Sequence, residues 1–91
     1  MINFNISTLI YSTEDNGSTV FRDAKTLGYL FVNTGNSLVL LNNILIPAGG
    51  SFKTFEPNYV DKTQYRMLFK PTNACSETNS SLTVLIYQIE L

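Results

Sequence analysis

The sequence contains no histidine and no tryptophan, and its single cysteine is Cys75. Without histidine, the commonest general base and metal ligand, Ser–His and Cys–His nucleophile systems are excluded. One cysteine forms no internal disulfide, and one thiol with dispersed carboxylates is a poor ligand set for structural zinc. Ala48-Gly49-Gly50 follows Pro47 and precedes a strand pattern, so it is interpreted as a turn rather than a phosphate-binding loop. We therefore expect no enzymatic activity and no cofactor.

Charged residues are also scarce, at 14% of the chain, and the formal net charge is −1. The lysines and arginines are scattered singly, so no basic cluster is present to attract nucleic acid or an anionic membrane. No apolar run approaches the roughly 20 residues of a membrane-spanning helix. The segment Met1–Ile6 lacks the features of a signal peptide, and we expect synthesis in a cytoplasm.

The chain consists instead of short apolar β-type segments separated by turn signals. Asn16-Gly17, Asn42-Asn43 and Ala48–Gly50 are the expected tight turns. We interpret Asp23–Leu27 as a connection with one helical turn. The predicted strands are Ile2–Tyr11, Ser18–Arg22, Gly28–Asn33, Ser37–Leu41, Ile44–Ile46, Ser51–Phe55, Gln64–Lys70 and Leu82–Leu91. These segments predict one all-β domain over residues 1–91, an antiparallel, jelly-roll-like β-sandwich of seven or eight strands, with a small barrel as the alternative.

Alternation within several segments predicts which side chains share a face. Near the N-terminus, Ile2, Phe4 and Ile6 alternate with polar residues, which predicts a strand with one solvent-facing side. In Gln64–Lys70, the predicted inward residues are Tyr65, Met67 and Phe69, and the outward ones are Gln64, Arg66 and Lys70.

Two segments are apolar on both faces, namely Leu38–Ile46 and the last strand. A strand in a two-layer sandwich places only one face in the core, so the other face needs a cover. We therefore predict a homo-oligomer or burial in a larger assembly, unless a closed barrel with covering loops hides these faces. In the last strand, Leu82, Val84 and Ile86 share one face, and the candidate oligomer contacts on the other are Leu85, Tyr87, Ile89 and Leu91.

Three further features are weak binding candidates. Glu14–Gly17 offers oxygen atoms to calcium, but a solvated turn is the preferred interpretation. Cys75 lies in a polar loop without a neighbouring base and is expected to be a spectator thiol. The tyrosines could stack on sugars, although core or subunit-contact roles are preferred; they are Tyr11, Tyr29, Tyr59, Tyr65 and Tyr87.

Residues 30–52 are similar to a pattern in small β-proteins of tailed-phage particles. An apolar strand ends in Asn33-Thr34-Gly35, a second contains the Asn42-Asn43 turn, and Ile46-Pro47-Ala48-Gly49 leads into a third. Downstream, Thr63–Phe69 and Leu82–Ile86 fit the same pattern. The resemblance covers about two thirds of the chain, and residues 1–25 lie outside it. It implies a decoration, head-fibre, collar or tail accessory subunit.

Together these observations favour a non-enzymatic structural subunit of a phage particle. We expect a homo-oligomer, with a trimer favoured, that contacts other virion proteins and is located in the virion. Apolar strand faces and the edge of the C-terminal strand are the expected contacts between copies. One alternative is a carbohydrate- or receptor-binding β module that displays its tyrosines and Asn-rich loops. Another is a small inhibitor that adds a strand to one protein target.

Overall fold

The computed structural model describes residues 4–20, 26–54, 61, 63–70 and 79–89 of the 91-residue chain. A single 3-10 turn, Thr13–Asp15, follows the first strand. The strands in these residues are β1 (Phe4–Ser12), β2 (Thr19–Val20), β3 (Thr26–Asn33), β4 (Leu38–Leu41), β5 (Ile44–Ile46), β6 (Ser51–Lys53), β7 (Tyr65–Lys70) and β8 (Ser81–Ile89).

The eight strands form two antiparallel sheets of four. The first sheet has the order β1-β8-β3-β6, and the second has the order β2-β7-β4-β5. Four of the pairs are β1–β8, β2–β7, β3–β6 and β4–β5, which are the pairs of one long hairpin rolled into two sheets. This is a jelly-roll topology. The predicted all-β, jelly-roll-like sandwich is therefore confirmed, and the described strands do not close into a barrel.

The core lies between the inward sides of the two sheets and is centred on aromatic residues. Tyr29 and Phe31 of β3 contact Tyr65 of β7 across the sandwich, with ring centroids 5.5 and 5.1 Å apart. The inward side of β7 is Tyr65, Met67 and Phe69, as its alternation predicts. The other members of the buried cluster are Val20, Val39, Leu41, Ile46, Leu82, Val84 and Ile86.

A buried asparagine joins the two sheets where β3 ends. The Asn33 side-chain amide donates to the carbonyls of Ser37 (2.7 Å) and Ile46 (2.9 Å), and its oxygen accepts from the Gly35 N–H (3.2 Å). The Gly35 Cα packs so closely on the backbone of residues 79–81 that a side chain would collide with it. The Asn33-Thr34-Gly35 motif therefore fixes the chain where it crosses from the first sheet to the second.

Asp61 makes a second connection between the sheets, at the opposite end of β3. Its N–H donates to the Thr26 carbonyl (2.7 Å), and its carboxylate accepts from the Tyr65 hydroxyl (2.9 Å) and the Thr63 N–H (2.9 Å). Burial acts to raise the pKa of Asp61, but hydrogen bonds from Thr63, Tyr65 and Thr54 outweigh it and hold that pKa below its usual value. The carboxylate form is thus the one that the fold stabilises.

Each of the three expected tight turns contains one residue with positive φ. Gly17, Asn42 and Gly49 have positive φ, of 89°, 53° and 80°, where glycine and asparagine are favoured. Asn42 also contacts β7, because its side-chain oxygen accepts from the Arg66 N–H (3.0 Å) and its own N–H donates to the Arg66 carbonyl (2.9 Å).

The helical turn predicted at Asp23–Leu27 is wrong for the residues that can be compared. Thr26 and Leu27 begin β3, and residues 23–25 lie outside the described part of the chain. Both residues are fully buried, because Thr26 and Gly28 flank an irregularity in the pairing with β8. The extra residue of a β-bulge in this position changes which side chains turn inward.

Candidate functional site

The outward side of the first sheet is a largely apolar surface, which we call the first outer face. Register places Thr8 of β1 beside Leu85 of β8, and Leu85 beside Leu30 of β3. Alternation along each strand then determines which residues point the same way. The described members are Ile6, Thr8, Ile10, Leu30, Val32, Ser51, Lys53, Thr83, Leu85, Tyr87 and Ile89.

The most exposed apolar residues of this face lie on β1. Leu85, Tyr87 and Ile89 of the central strand β8 are partly buried by their neighbours. Ile6 is 54% exposed and Ile10 is 70% exposed. Among the described strands, β1 lies at the edge with β8 as its one neighbour, so its isoleucines are covered least. Contiguous apolar side chains of this kind mark interaction surfaces in soluble proteins.

The structure brings together three of the four candidate contacts predicted from the sequence. Leu85, Tyr87 and Ile89 point outward on β8, opposite the buried Leu82, Val84 and Ile86. The fourth candidate, Leu91, lies outside the described residues. Strand β8 therefore has apolar residues on both of its sides, and the role of the outward ones in an interface stays a prediction.

The expectation that the C-terminal strand offers a free edge is wrong for β8. This strand lies between β1 and β3, so its backbone is paired on both sides. Within the described part of the chain, the edges of this sheet are β1 and β6, because the rolled hairpin brings the first and last described strands together and leaves β1 outermost.

The expected orientation of the N-terminal strand is also wrong. Ile6 points outward, whereas Ser7 pairs with the core-facing Ile86. Leu9 and Tyr11 pack against the core cluster, and they share their side of the strand with Ser7. These two large side chains lie on the inward side of β1, and Ile6 lies on its outward side. Ile2 and the side chain of Phe4 lie outside the described part of the chain.

Sequence reasoning missed Ile10, Leu30 and Val32 as members of the first outer face. Ile6 and Ile10 do have the even spacing that places side chains on one side of a strand. This signal identifies a face only when the register with β8 is known.

No strand of the described residues pairs with the outer edge of β1. The N–H groups of Thr34 and Gly35 donate to the Ser81 carbonyl, so the Ser81 backbone points toward β3 rather than β1. Because backbone groups alternate along a strand, those of Ile6, Thr8 and Ile10 point away from β8. At the end of the strand, the Ser12 N–H donates to the Asp15 carboxylate (2.8 Å).

The four edge strands differ in length and charge. β1 has nine residues with no charge and no proline. β2 has two residues, β5 has three, and β6 has three including Lys53. Short or charged edges resist pairing with another chain, whereas a long uncharged edge favours it.

The outward side of the second sheet, which we call the second outer face, combines apolar and basic residues. Leu40 lies between Leu45 of β5, which is 55% exposed, and Leu68 of β7. Arg66 and Lys70 lie on either side of Leu68 along β7 and are exposed. The prediction that Leu38–Ile46 is apolar on both faces is confirmed, but its outward face has charged neighbours.

The weak binding candidates have structural roles or are dispersed. Asp15 accepts from Ser12, and the Asn16 side-chain oxygen accepts from the Phe69 N–H (2.8 Å). Within the described residues, no three potential metal ligands cluster. Tyr29 and Tyr65 are buried and Tyr11 packs on the core, which leaves Tyr87 on the first outer face. Tyr59 and Cys75 lie outside the described residues.

Comparisons with known proteins give no relative. In the described residues, no helix has the length and hydropathy to cross a membrane. No family model matches the chain, and neither the curated proteins nor the solved structures that were compared contain a match.

Proposed function

We propose that this protein is a non-enzymatic structural subunit of a phage particle that assembles as a homo-oligomer through the first outer face. The observation that carries the proposal is the row of Leu85, Tyr87 and Ile89 beside the exposed Ile6 and Ile10. Its location is the virion, as a decoration, head-fibre, collar or tail accessory subunit. The trimer favoured by the sequence would place three such faces around a common axis.

Energetic considerations support assembly through this face. Complete burial of one isoleucine or leucine side chain gains about 1.5–3 kcal/mol. Ile6 and Ile10 are more than half exposed, so a partner copy that covers them recovers much of this gain. The first outer face has one charged residue among its described members, Lys53, and this residue lies on the far strand β6. Few charges therefore need to be desolvated when copies associate.

The fold is compatible with this proposal and with its main alternative. Jelly rolls occur in viral capsid proteins and in lectins, and the fold alone does not decide between them. A sugar-binding module would display several tyrosines on one surface. Of the four described tyrosines, two are buried and one packs on the core, so the structure offers no particular support for that alternative.

The direct test places a charge in the first outer face. Tyr87→Asp and Leu85→Asp should each dissociate the oligomer, because a buried unpaired carboxylate is costly. Leu45→Asp is the matched control, since Leu45 is an exposed leucine of the second outer face. Light scattering coupled to size exclusion gives the mass, and circular dichroism reports folding. A folded Leu85→Asp variant with the wild-type oligomeric mass would contradict the proposal.

A second test addresses the particle. Mass spectrometry of purified virions from a phage that encodes this chain should detect it at a stoichiometric copy number. Detection only in the lysate, with none in the particles, would contradict the virion role and leave the homo-oligomer to the first test.

A further inference from the structure

The open edge of β1 is a second potential contact, separate from the first outer face. Its free N–H and carbonyl groups belong to Ile6, Thr8 and Ile10, and no described strand pairs with them. Asp15 closes the edge at Ser12. An open, uncharged edge pairs with a strand that supplies the missing hydrogen bonds.

We propose that two copies pair through β1, antiparallel and across a two-fold axis, so that their first sheets join into one eight-stranded sheet. The inference rests on the proposed homo-oligomer and adds which strand makes one of its contacts. It replaces the C-terminal strand, which β1 and β3 enclose, with β1 as the strand that pairs between copies.

The placement of the outward isoleucines of β1 favours a second copy as the partner, because Ile6 and Ile10 lie at equal distances on either side of Thr8. A two-fold axis normal to the sheet pairs outward residues with outward residues. With Thr8 on the axis, Ile6 of each copy lies opposite Ile10 of the other, and the pairing ends at Ser12, whose N–H already donates to Asp15. Such β-branched cross-strand pairs stabilise neighbouring strands. Since β1 has no charged residue, self-pairing brings no like charges together.

The size of this contact links it to the first outer face. A nine-residue edge is about 30 Å long and about 10 Å thick, so pairing hides about 300 Å² per copy. A stable interface hides about 800 Å² per partner. The edge contact therefore needs an additional surface. When the two sheets join, the first outer faces of the two copies form one continuous surface. Edge pairing therefore enlarges the surface that the outer-face contact can use.

Two-fold pairing predicts an even number of copies. Two-fold pairing is compatible with a trimer if two trimers stack into a hexamer. When three first outer faces surround a three-fold axis, a two-fold axis normal to one of these faces is perpendicular to the three-fold axis, as the symmetry of such a hexamer requires. The expected masses are therefore those of a dimer, a tetramer or a hexamer.

The first experiment removes the central edge donor. Thr8→Pro deletes an N–H that points away from β8, a position where edge strands tolerate proline. We expect the oligomeric mass to halve. Thr19→Pro is the matched control, since Thr19 is an exposed threonine on the edge strand β2 of the second sheet, and it should leave the mass unchanged.

The second experiment uses cross-linking and decides the case if Thr8→Pro fails to fold. In a Cys75→Ser background, Thr8→Cys should give a disulfide-linked dimer on mild oxidation, because paired Cα atoms about 5.5 Å apart are within disulfide range. Thr19→Cys in the same background should stay uncross-linked. Absence of the Thr8→Cys dimer, or an unchanged mass for a folded Thr8→Pro variant, overturns edge pairing.

The outcomes separate this inference from the proposed function. If edge pairing fails while Leu85→Asp still dissociates the wild-type assembly, the homo-oligomer stands and is built by the face alone. A wild-type protein that stays monomeric at high concentration overturns both proposals. An odd-numbered wild-type assembly overturns edge pairing only.

Discussion

The two sheets of the sandwich share one core but present different outward surfaces. The first sheet has three long strands, an outward side with one charged residue among the described members, and an uncharged nine-residue edge. The second sheet has shorter strands, and its outward leucines have Arg66 and Lys70 beside them. Its two edges are two and three residues long. The two sheets therefore differ in the charge of their outward sides and in the length of their edges, and the proposed assembly rests on this difference.

The two sides of β8 provide the largest contrast. Leu82→Ala should lower the free energy of unfolding by about 2–5 kcal/mol, because it leaves a cavity in the core. Leu85→Ala should cost less than about 1 kcal/mol in the dilute monomer, because its side chain is partly exposed. Urea titrations at low protein concentration measure both. Equal losses would mean that the first outer face is already part of a core.

The Asn33 connection between the sheets gives the next largest effect. Asn33→Ala should cost about 2–3 kcal/mol, because the buried carbonyls of Ser37 and Ile46 lose their donor. Asn43→Ala, at an exposed turn position, is the control and should change stability by less than about 0.5 kcal/mol. Equal values for the two variants would show that the polar connection does not hold the sheets together.

The Asp61 connection predicts a pH dependence. Because the pKa of Asp61 lies below its ordinary value of 3.8, the carboxylate stabilises the fold above that value. This stability is lost as the pH falls through the lowered pKa. Asp61→Asn should therefore cost about 1 kcal/mol at neutral pH and nothing in strong acid. Unfolding at a series of pH values tests this, and a cost that is constant with pH would contradict it.

The smallest effect on stability concerns the second outer face. Replacing Arg66 and Lys70 by threonine should change stability by less than about 0.5 kcal/mol per site, because both side chains are exposed. Without these charges the outward leucines are no longer flanked by basic groups, so we expect additional association at high concentration. Sedimentation velocity over a concentration series measures it. Unchanged sedimentation would mean that these charges do not distinguish the two sheets.

Much of the local structure is predictable from the sequence. Alternation in β7 and β8 correctly separates Met67 from Arg66 and Leu82 from Leu85, because neighbouring side chains of a strand point to opposite sides. The turns at Gly17 and Asn42 also follow from residue type, since both adopt positive φ. The jelly-roll-like sandwich that the strand pattern predicts is confirmed by the two four-stranded sheets.

The candidate surface is less predictable, because it depends on which strands become neighbours. No local pattern states that β8 lies inside the sheet and β1 at its edge; this follows from pairings between distant parts of the chain. The inward side of β1 is decided by Leu9 and Tyr11, which lie three and five residues after Ile6, the last apolar residue of the alternation that suggested otherwise. The role of Asn33 is equally hidden, since its acceptors lie 4 and 13 residues away.

The register of β1 with β8 has a consequence for the order in which the protein forms during synthesis. Phe4 pairs with Ile89, so the earliest described strand to leave the ribosome must wait for the latest before it gains a neighbour. Pairings so distant along the chain slow folding, and unpaired apolar strands are prone to misassociation meanwhile. Before β8 has been synthesised, cellular chaperones should therefore bind the nascent chain, and the hydrophobic strand β1 is the segment that they protect.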